Sequence, residues 1–415
     1  MSDTPIAFTA PHAEAARIGL DLLRDGASAI DAMVGAAAAI AVAYPHMNGL
    51  GGDGFWLIHR PGSAPVAIDA AGTAGARATP DWYRERGFDA IPARGPAAAL
   101  TVAGTVDGWR VARSLPGLKP RPLDAVLAPA IDLARSDLPA TVSEHAALTK
   151  VHPELAGDTQ FAAMHYPEGA IPDPGTPRRK SALADLLEAL ARNGLDDFYR
   201  GELGTAIGEA LSAYGAPLLR DDLAGYRARE VAPLTLKVRG AQLFNLPAPT
   251  QGIASLLILG IYDRLIAARG PRAGEDLDID DVHLLVEATK RAFAVRAAEV
   301  TDPNRVSPRW AGLTDPDFVD ALAAQVDPQT ALPWPQPAAP GDTIWMGALD
   351  AAGTMVSFIQ SVYWEFGSGV TLPEFGLVWN NRGMSFELDA MATNGLGPGR
   401  KPFHTLNPAL ARFKD

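Results

Sequence analysis

The chain has 415 residues, 47% of them hydrophobic and 20% charged, with a formal net charge of −12 and no cysteine. Absence of cysteine excludes disulfides, thiolate zinc sites, iron–sulfur ligation and a cysteine nucleophile. The acidic balance argues against a nucleic-acid partner, whose phosphates call for Lys and Arg, and suits a soluble protein working on small molecules.

The N-terminus Met1-Ser2-Asp3-Thr4 is acidic and runs into Pro11-His12-Ala13-Glu14 without an apolar signal core, so the expected location is the cytoplasm. Ala16, Leu20 and Leu23 recur at helical spacing and predict a helix from Ala13 to Leu23, stopped by Asp25-Gly26. Ser28 can cap a second helix to about Val42. The apolar run Ala32 to Tyr44 is 13 residues long, short of a bilayer span, and reads as a buried core helix with no membrane partner implied.

A glycine-rich turn, Asn48-Gly49-Leu50-Gly51-Gly52-Asp53-Gly54, leads into Phe55-Trp56-Leu57-Ile58, a predicted buried strand. Gly49-x-Gly51-x-x-Gly54 matches a dinucleotide fingerprint in letters only. That mechanism needs a strand before the glycines and a helix after, and here the order is reversed. From Leu123 to Phe293 the pattern is mostly helical, broken by loops such as Pro172 to Pro177. Pro328, Pro333, Pro335, Pro337 and Pro340 then mark an exposed linker. After it, Thr343 to Leu349, Thr354 to Trp364 and Leu377-Val378-Trp379 read as strands, so the chain is expected to be a layered α+β or α/β/α protein.

The eight histidines form no H-E-x-x-H and no metal-ligand spacing, and neither a G-x-S-x-G elbow nor a Walker A lysine is present, so no metal and no cofactor are expected. His145 and His152, seven residues apart, read as polar residues of a solvated helix face. The hairpin after the linker says more. Ala351-Ala352-Gly353 is a three-residue loop with glycine where a left-handed conformation is needed. Pairing Asp350 with Thr354 then places Thr343 opposite Ser361 on one face of the sheet. By residue type alone these are ordinary strand hydroxyls.

Several stretches resemble the γ-glutamyltranspeptidase family of N-terminal-nucleophile hydrolases: Ala10 to Ala15, Asp25 to Ala32, Tyr44 to Trp56, Val102 to Trp109, Phe198 to Glu202 and Pro247 to Gly252. The resemblance covers nearly the whole chain. It implies an α+β, four-layer αββα fold forming one structural domain, self-cleaved between Asp342 and Thr343 into a large part, 1–342, and the start of a small part, 343–415. The processed form would be a heterodimer of the two fragments, open to further oligomerisation. Thr343 falls at the family's nucleophile, with its freed α-amine as base, and Ser361 at an assisting hydroxyl. An amine of pKa near ~8 can take the hydroxyl proton; an amide nitrogen cannot.

Departures from the family direct the substrate reading. Ala71 stands where glutathione-cleaving members carry an arginine that clamps the α-carboxylate. Where the family holds the α-amino group, this chain has Tyr363, Arg382 and Ser385, and Arg382 would repel an ammonium and favour an anion. The segment Lys401 to Pro408 is closer to the amidohydrolase and acylase branch. The expected substrate is a small carboxylate-bearing amide, oxamate-like or acylase-type, bound by Arg382, Tyr363, His404 and Thr405, with water as acceptor. A γ-glutamyl transferase or glutathione hydrolase with an altered clamp, and a non-catalytic unprocessed homologue, are the alternatives. The family's oxyanion-hole glycine pair falls beyond residue 415, so the chain reads as a family domain lacking its last strands.

Overall fold

The computed structural model describes residues 5–270, 277–334 and 343–413. Contacts divide the chain into two compact units, Met1–Glu230 with Gly341–Pro402, and Val231–Pro340 with Phe403–Asp415. This division does not coincide with the expected cleavage fragments: residues 343–402 pack with the first unit. Of the proline-rich linker, 328–334 is irregular as expected, and 335–340 lies outside the described residues.

The first unit is built on a six-stranded sheet in the order Ala7–Thr9, Ile344–Leu349, Met355–Ser361, Asp53–His59, Val66–Ala70, Arg229–Val231. The hairpin has the register that its turn dictates. Gly353 takes φ +81°, its N–H donates to the Asp350 carbonyl at 2.9 Å, and Met355 pairs with Leu349. Alternation along Ile344–Leu349 sends Ile344, Met346 and Ala348 inward and leaves Trp345 about half exposed on the opposite face.

The inward face is covered by the helices Ala29–Ala43 and Thr105–Arg113. Every residue of Ala29–Ala43 is buried, because it lies between the sheet and the outer helices Ala13–Arg24 and Leu123–Arg135. A helix buried all round carries no polar stripe, which is why its sequence is unbroken by charge after Asp31. Ser28 caps it as expected, its Oγ accepting from the Asp31 N–H at 3.1 Å. Full burial of side chains such as Ile40 and Val42 is worth about 1.5–3 kcal/mol each.

Two sequence expectations are corrected. The strand expected from Thr354 to Trp364 ends at Ser361, because Tyr363 adopts φ +85° and turns the chain out of the ladder. Leu377–Val378 does not join the main sheet; it pairs with Thr371–Leu372 in a separate hairpin.

The second unit is a three-stranded antiparallel sheet, ordered Leu410–Phe413, Ala241–Asn245, Leu234–Val238, with the helices Gly252–Arg269, Ile279–Glu299 and Pro316–Ala323. Its core joins Leu236 and Leu243 of the sheet to Ile253, Leu257, Leu284 and Val319 of the helices. The strands 234–245 interrupt a stretch expected to be mostly helical. Each unit therefore packs helices against an antiparallel sheet.

Candidate active site

The hairpin carries Thr343 to the exposed end of its strand, one step beyond the Ile344–Gln360 pair. Thr343 Oγ1 donates to Ser361 Oγ at 3.3 Å. Ser361 Oγ also accepts the Tyr363 N–H at 2.9 Å, so the turn that ends the strand helps fix the serine rotamer. The next strand places Asp53 beside Ser361, and extending its register with Val66–Ala70 by one residue places Ala71 beside Asp53. Thr343, Ser361, Asp53 and Ala71 thus form one cross-strand row on the face away from the helices. Asp53 is buried and its Oδ1 accepts the Gly72 N–H at 2.8 Å.

The glycine turn explains how the row is packed so closely. A Cβ on Gly52 would lie 2.2 Å from the Ser361 carbonyl oxygen, so only glycine lets these backbones meet. The order is helix, glycine turn, strand, as expected, and no nucleotide geometry arises there.

Arg382 is almost completely buried in a short 3₁₀ turn, Arg382–Ser385. Asn380 ties this turn to the glycine turn, giving hydrogen bonds from its N–H and its Nδ2 to the Gly51 carbonyl, both at 3.0 Å, and accepting the Arg382 N–H at 3.1 Å. The guanidinium lies over the Tyr363 ring, 3.5 Å from its centroid, and donates to Ser385 Oγ. Burial lowers the arginine's pKa, opposed by Tyr363 and by the negative charge of Asp53. Tyr363 holds its ring there from a positive φ that costs a non-glycine residue roughly 1–3 kcal/mol, strain of a kind found at functional sites.

The structure therefore gathers Thr343, Ser361, Tyr363, Arg382 and Ser385 in the first unit. His404 and Thr405 lie in the second. There His404 is buried, its N–H donates to the Pro249 carbonyl at 2.8 Å, and its Nδ1 accepts the Leu406 N–H at 3.3 Å. The Thr405 carbonyl accepts from Gln251 Nε2 at 2.9 Å. Asp342, on the other side of the expected scissile bond, lies outside the described residues.

Sequence reasoning assigned no role to Asp53, or to the buried ion pair of Lys401 and Asp69 at 2.6 Å one row further along the sheet. The alternation of Asp53, Phe55 and Leu57 signals a shared face, but the partners on it follow only from strand pairing. Among the described residues no cluster of three or more His, Asp or Glu could hold a metal ion. No described helix is long and apolar enough to cross a membrane.

The hydroxyls of Thr343 and Ser361 thus meet at a strand end on the sheet face away from the helices. Residues 15–415 match the γ-glutamyltranspeptidase family, and the chain belongs to it, with that family's α+β N-terminal-nucleophile fold and amidohydrolase class. It is 50% identical over 411 residues to the oxamate amidohydrolase proenzyme of Klebsiella pneumoniae subsp. pneumoniae, an alignment covering 98% of this chain and 76% of that proenzyme. It is 36% identical to the glutathione hydrolase-like YwrD proenzyme of Bacillus subtilis (strain 168), over 96% of this chain and 75% of the relative. Among solved structures, cephalosporin acylase from Bacillus halodurans superposes with a TM-score of 0.88 at 30% identity, over 100% of this chain and 77% of that one.

Proposed function

We propose that this protein is a self-processing threonine amide hydrolase acting on a small amide that carries a carboxylate beside its acyl carbon. Cleavage before Thr343 frees an α-amine on the residue that bears the nucleophile. The amine takes the Thr343 hydroxyl proton as Oγ1 attacks the substrate carbonyl. The amine then passes that proton to the leaving nitrogen, and water releases the acyl group from an ester intermediate. Ser361 lies within hydrogen-bond reach of Oγ1 and orients it. Before cleavage the Thr343 nitrogen is an amide and no base is present, so processing and activation are one event. The two resulting fragments form the working heterodimer.

The observation that carries this reading is the Thr343–Ser361 hydroxyl pair at 3.3 Å. The substrate half rests on Arg382 and on the absence of an arginine at Ala71. Arg382 sets a buried positive charge over Tyr363 and beside Ser385, a charge that favours a carboxylate and is hostile to an ammonium. The relative named as an oxamate amidohydrolase supports the same class, oxamate being an amide with an adjacent carboxylate. The relatives named as glutathione hydrolases favour a second reading, γ-glutamyl transfer through an altered clamp, which γ-glutamyl anilide turnover would reveal.

Intact mass spectrometry of the purified protein tests the core. Two fragments divided between Asp342 and Thr343 are expected, and Thr343→Ala should abolish both cleavage and amide hydrolysis. A Thr343→Ala protein that still hydrolyses amides, or a wild-type chain that remains uncut, would overturn the assignment.

A further inference from the structure

The turn that follows Ser361 and the turn that carries Arg382 are joined through one residue, Asn381, which is fully buried. Its main-chain N–H donates to the Val362 carbonyl at 3.3 Å, and its Oδ1 accepts the Trp364 N–H at 3.3 Å. Asn381 thus bonds the residue on each side of Tyr363, the residue held at φ +85°. Its Nδ2 donates to a third segment, at the Ala93 carbonyl, over 2.9 Å.

Arg94, the residue after that acceptor, braces the same turn. Its Nη1 donates to the Glu365 carbonyl at 2.6 Å and to the Gly367 carbonyl, and its guanidinium carbon lies 5.7 Å from the centroid of the Trp364 ring. Between them Asn381 and Arg94 hold Val362, Trp364, Glu365 and Gly367.

Two site groups depend on this hold. The Tyr363 N–H donates to Ser361 Oγ at 2.9 Å, so the place of the turn sets the serine that meets Thr343. The Tyr363 ring lies under the Arg382 guanidinium, 3.5 Å from ring centroid to guanidinium carbon, and Arg382 follows Asn381 directly in the chain. An amide side chain offers an acceptor and a donor together, and here they serve different segments. A carboxylate keeps only the acceptor, and an alkyl group has neither.

We propose that Asn381 is a positioning residue that fixes the separation between the Thr343–Ser361 hydroxyl pair and the Arg382 guanidinium, an inference that rests on the roles proposed above for both groups. The fixed separation selects amides by the number of carbons between acyl carbon and carboxylate. An amide with a longer spacer reaches Arg382 only with its carbonyl displaced from Thr343 Oγ1, and such displacement is costly in rate.

The test uses the purified full chain and three amides, oxamate, malonamate and succinamate, whose carboxylates stand successively further from the acyl carbon. Rates are divided by the cleaved fraction read from intact mass, so loss of processed or folded protein cancels in the ratio of kcat/KM between substrates. Wild type should favour oxamate. Asn381→Asp and Asn381→Ala should each lower the oxamate-to-succinamate ratio roughly tenfold, the size expected for one lost buried hydrogen bond, with kcat on oxamate falling and KM rising. Arg94→Lys keeps the charge but not the planar fork, and should shift the ratio the same way by a smaller factor. This conservative variant decides the matter if neither Asn381 variant folds. A merely structural role would lower the melting temperature and leave the ratio alone. That result in a folded Asn381 variant, the same result in Arg94→Lys where neither Asn381 variant folds, or a wild type indifferent to spacer length would overturn the positioning role. A processed wild type that hydrolyses none of the three amides would instead overturn the substrate reading, and this inference with it.

Discussion

Replacing Arg382 by Gln separates substrate recognition from structural support. A hydrogen bond between a guanidinium and a substrate carboxylate is worth about 1.5–3 kcal/mol, so kcat/KM for a carboxylate-bearing amide should fall roughly 10- to 150-fold. A neutral amide of similar size should lose far less. The substitution also removes the positive charge whose field reaches the buried Asp53, so the fold loses a favourable Coulomb interaction. Melting should therefore drop by several degrees. Adding Asp53→Asn removes the stranded charge, so the double variant should regain stability while staying poor on the anionic amide. Steady-state kinetics on matched anionic and neutral amides, with thermal melts of the four proteins in the cycle, check this. Equal losses on both substrates would refute Arg382 as the recognition group, and a double variant no more stable than Arg382→Gln would refute the coupling to Asp53.

Ser361→Ala should slow both chain cleavage and turnover, because Thr343 loses its hydroxyl partner; timed mass spectrometry and kinetics read the two together. Gly52→Ala should destabilise by about 1–3 kcal/mol or more, since its new methyl meets the Ser361 carbonyl at 2.2 Å and one of two backbones must move; melting temperature reports it. His46 is buried, and burial lowers its pKa from 6.5 to about 4. The unfolded chain therefore binds a proton there that the folded chain refuses. The stability attached to His46 is present above about pH 6.5 and is lost as pH falls towards 4, by roughly 3 kcal/mol at the lower end. His46→Phe should flatten the acid limb of a melting-temperature profile, and an unchanged limb would refute it.

What was legible in the sequence was local. The three-residue loop ending in Gly353 sets the hairpin register through φ of a single residue, and Thr343 and Ser361 meet as a result. Ser28 likewise marks the start of the buried helix through one hydrogen bond. Asp53 and Ala71 join the row through pairings between strands far apart in the chain, which no local rule contains. Tyr363 could not be read as the end of its strand, because an aromatic residue ordinarily favours the extended backbone and only its surroundings hold it at φ +85°. The strands 234–245 did carry a signal, Arg239-Gly240 between Leu234-Leu236-Val238 and Ala241-Leu243, with Gly240 at φ +75°, but the apolar helix that follows obscured it.

The strand order of the main sheet has a mechanical consequence. Ile344–Leu349 and Met355–Ser361 lie between Ala7–Thr9 on one side and Asp53–His59 on the other, with ladders to both. In addition, the Asp350 carboxylate at the hairpin tip accepts the Ala29 N–H at 2.9 Å, at the start of the buried helix. Breaking the chain before Thr343 therefore severs a covalent bond without severing the sheet. Within this sheet the later fragment would supply two inner staves held by strands of the earlier one, so the fragments should purify as one species and stay together while the sheet is intact.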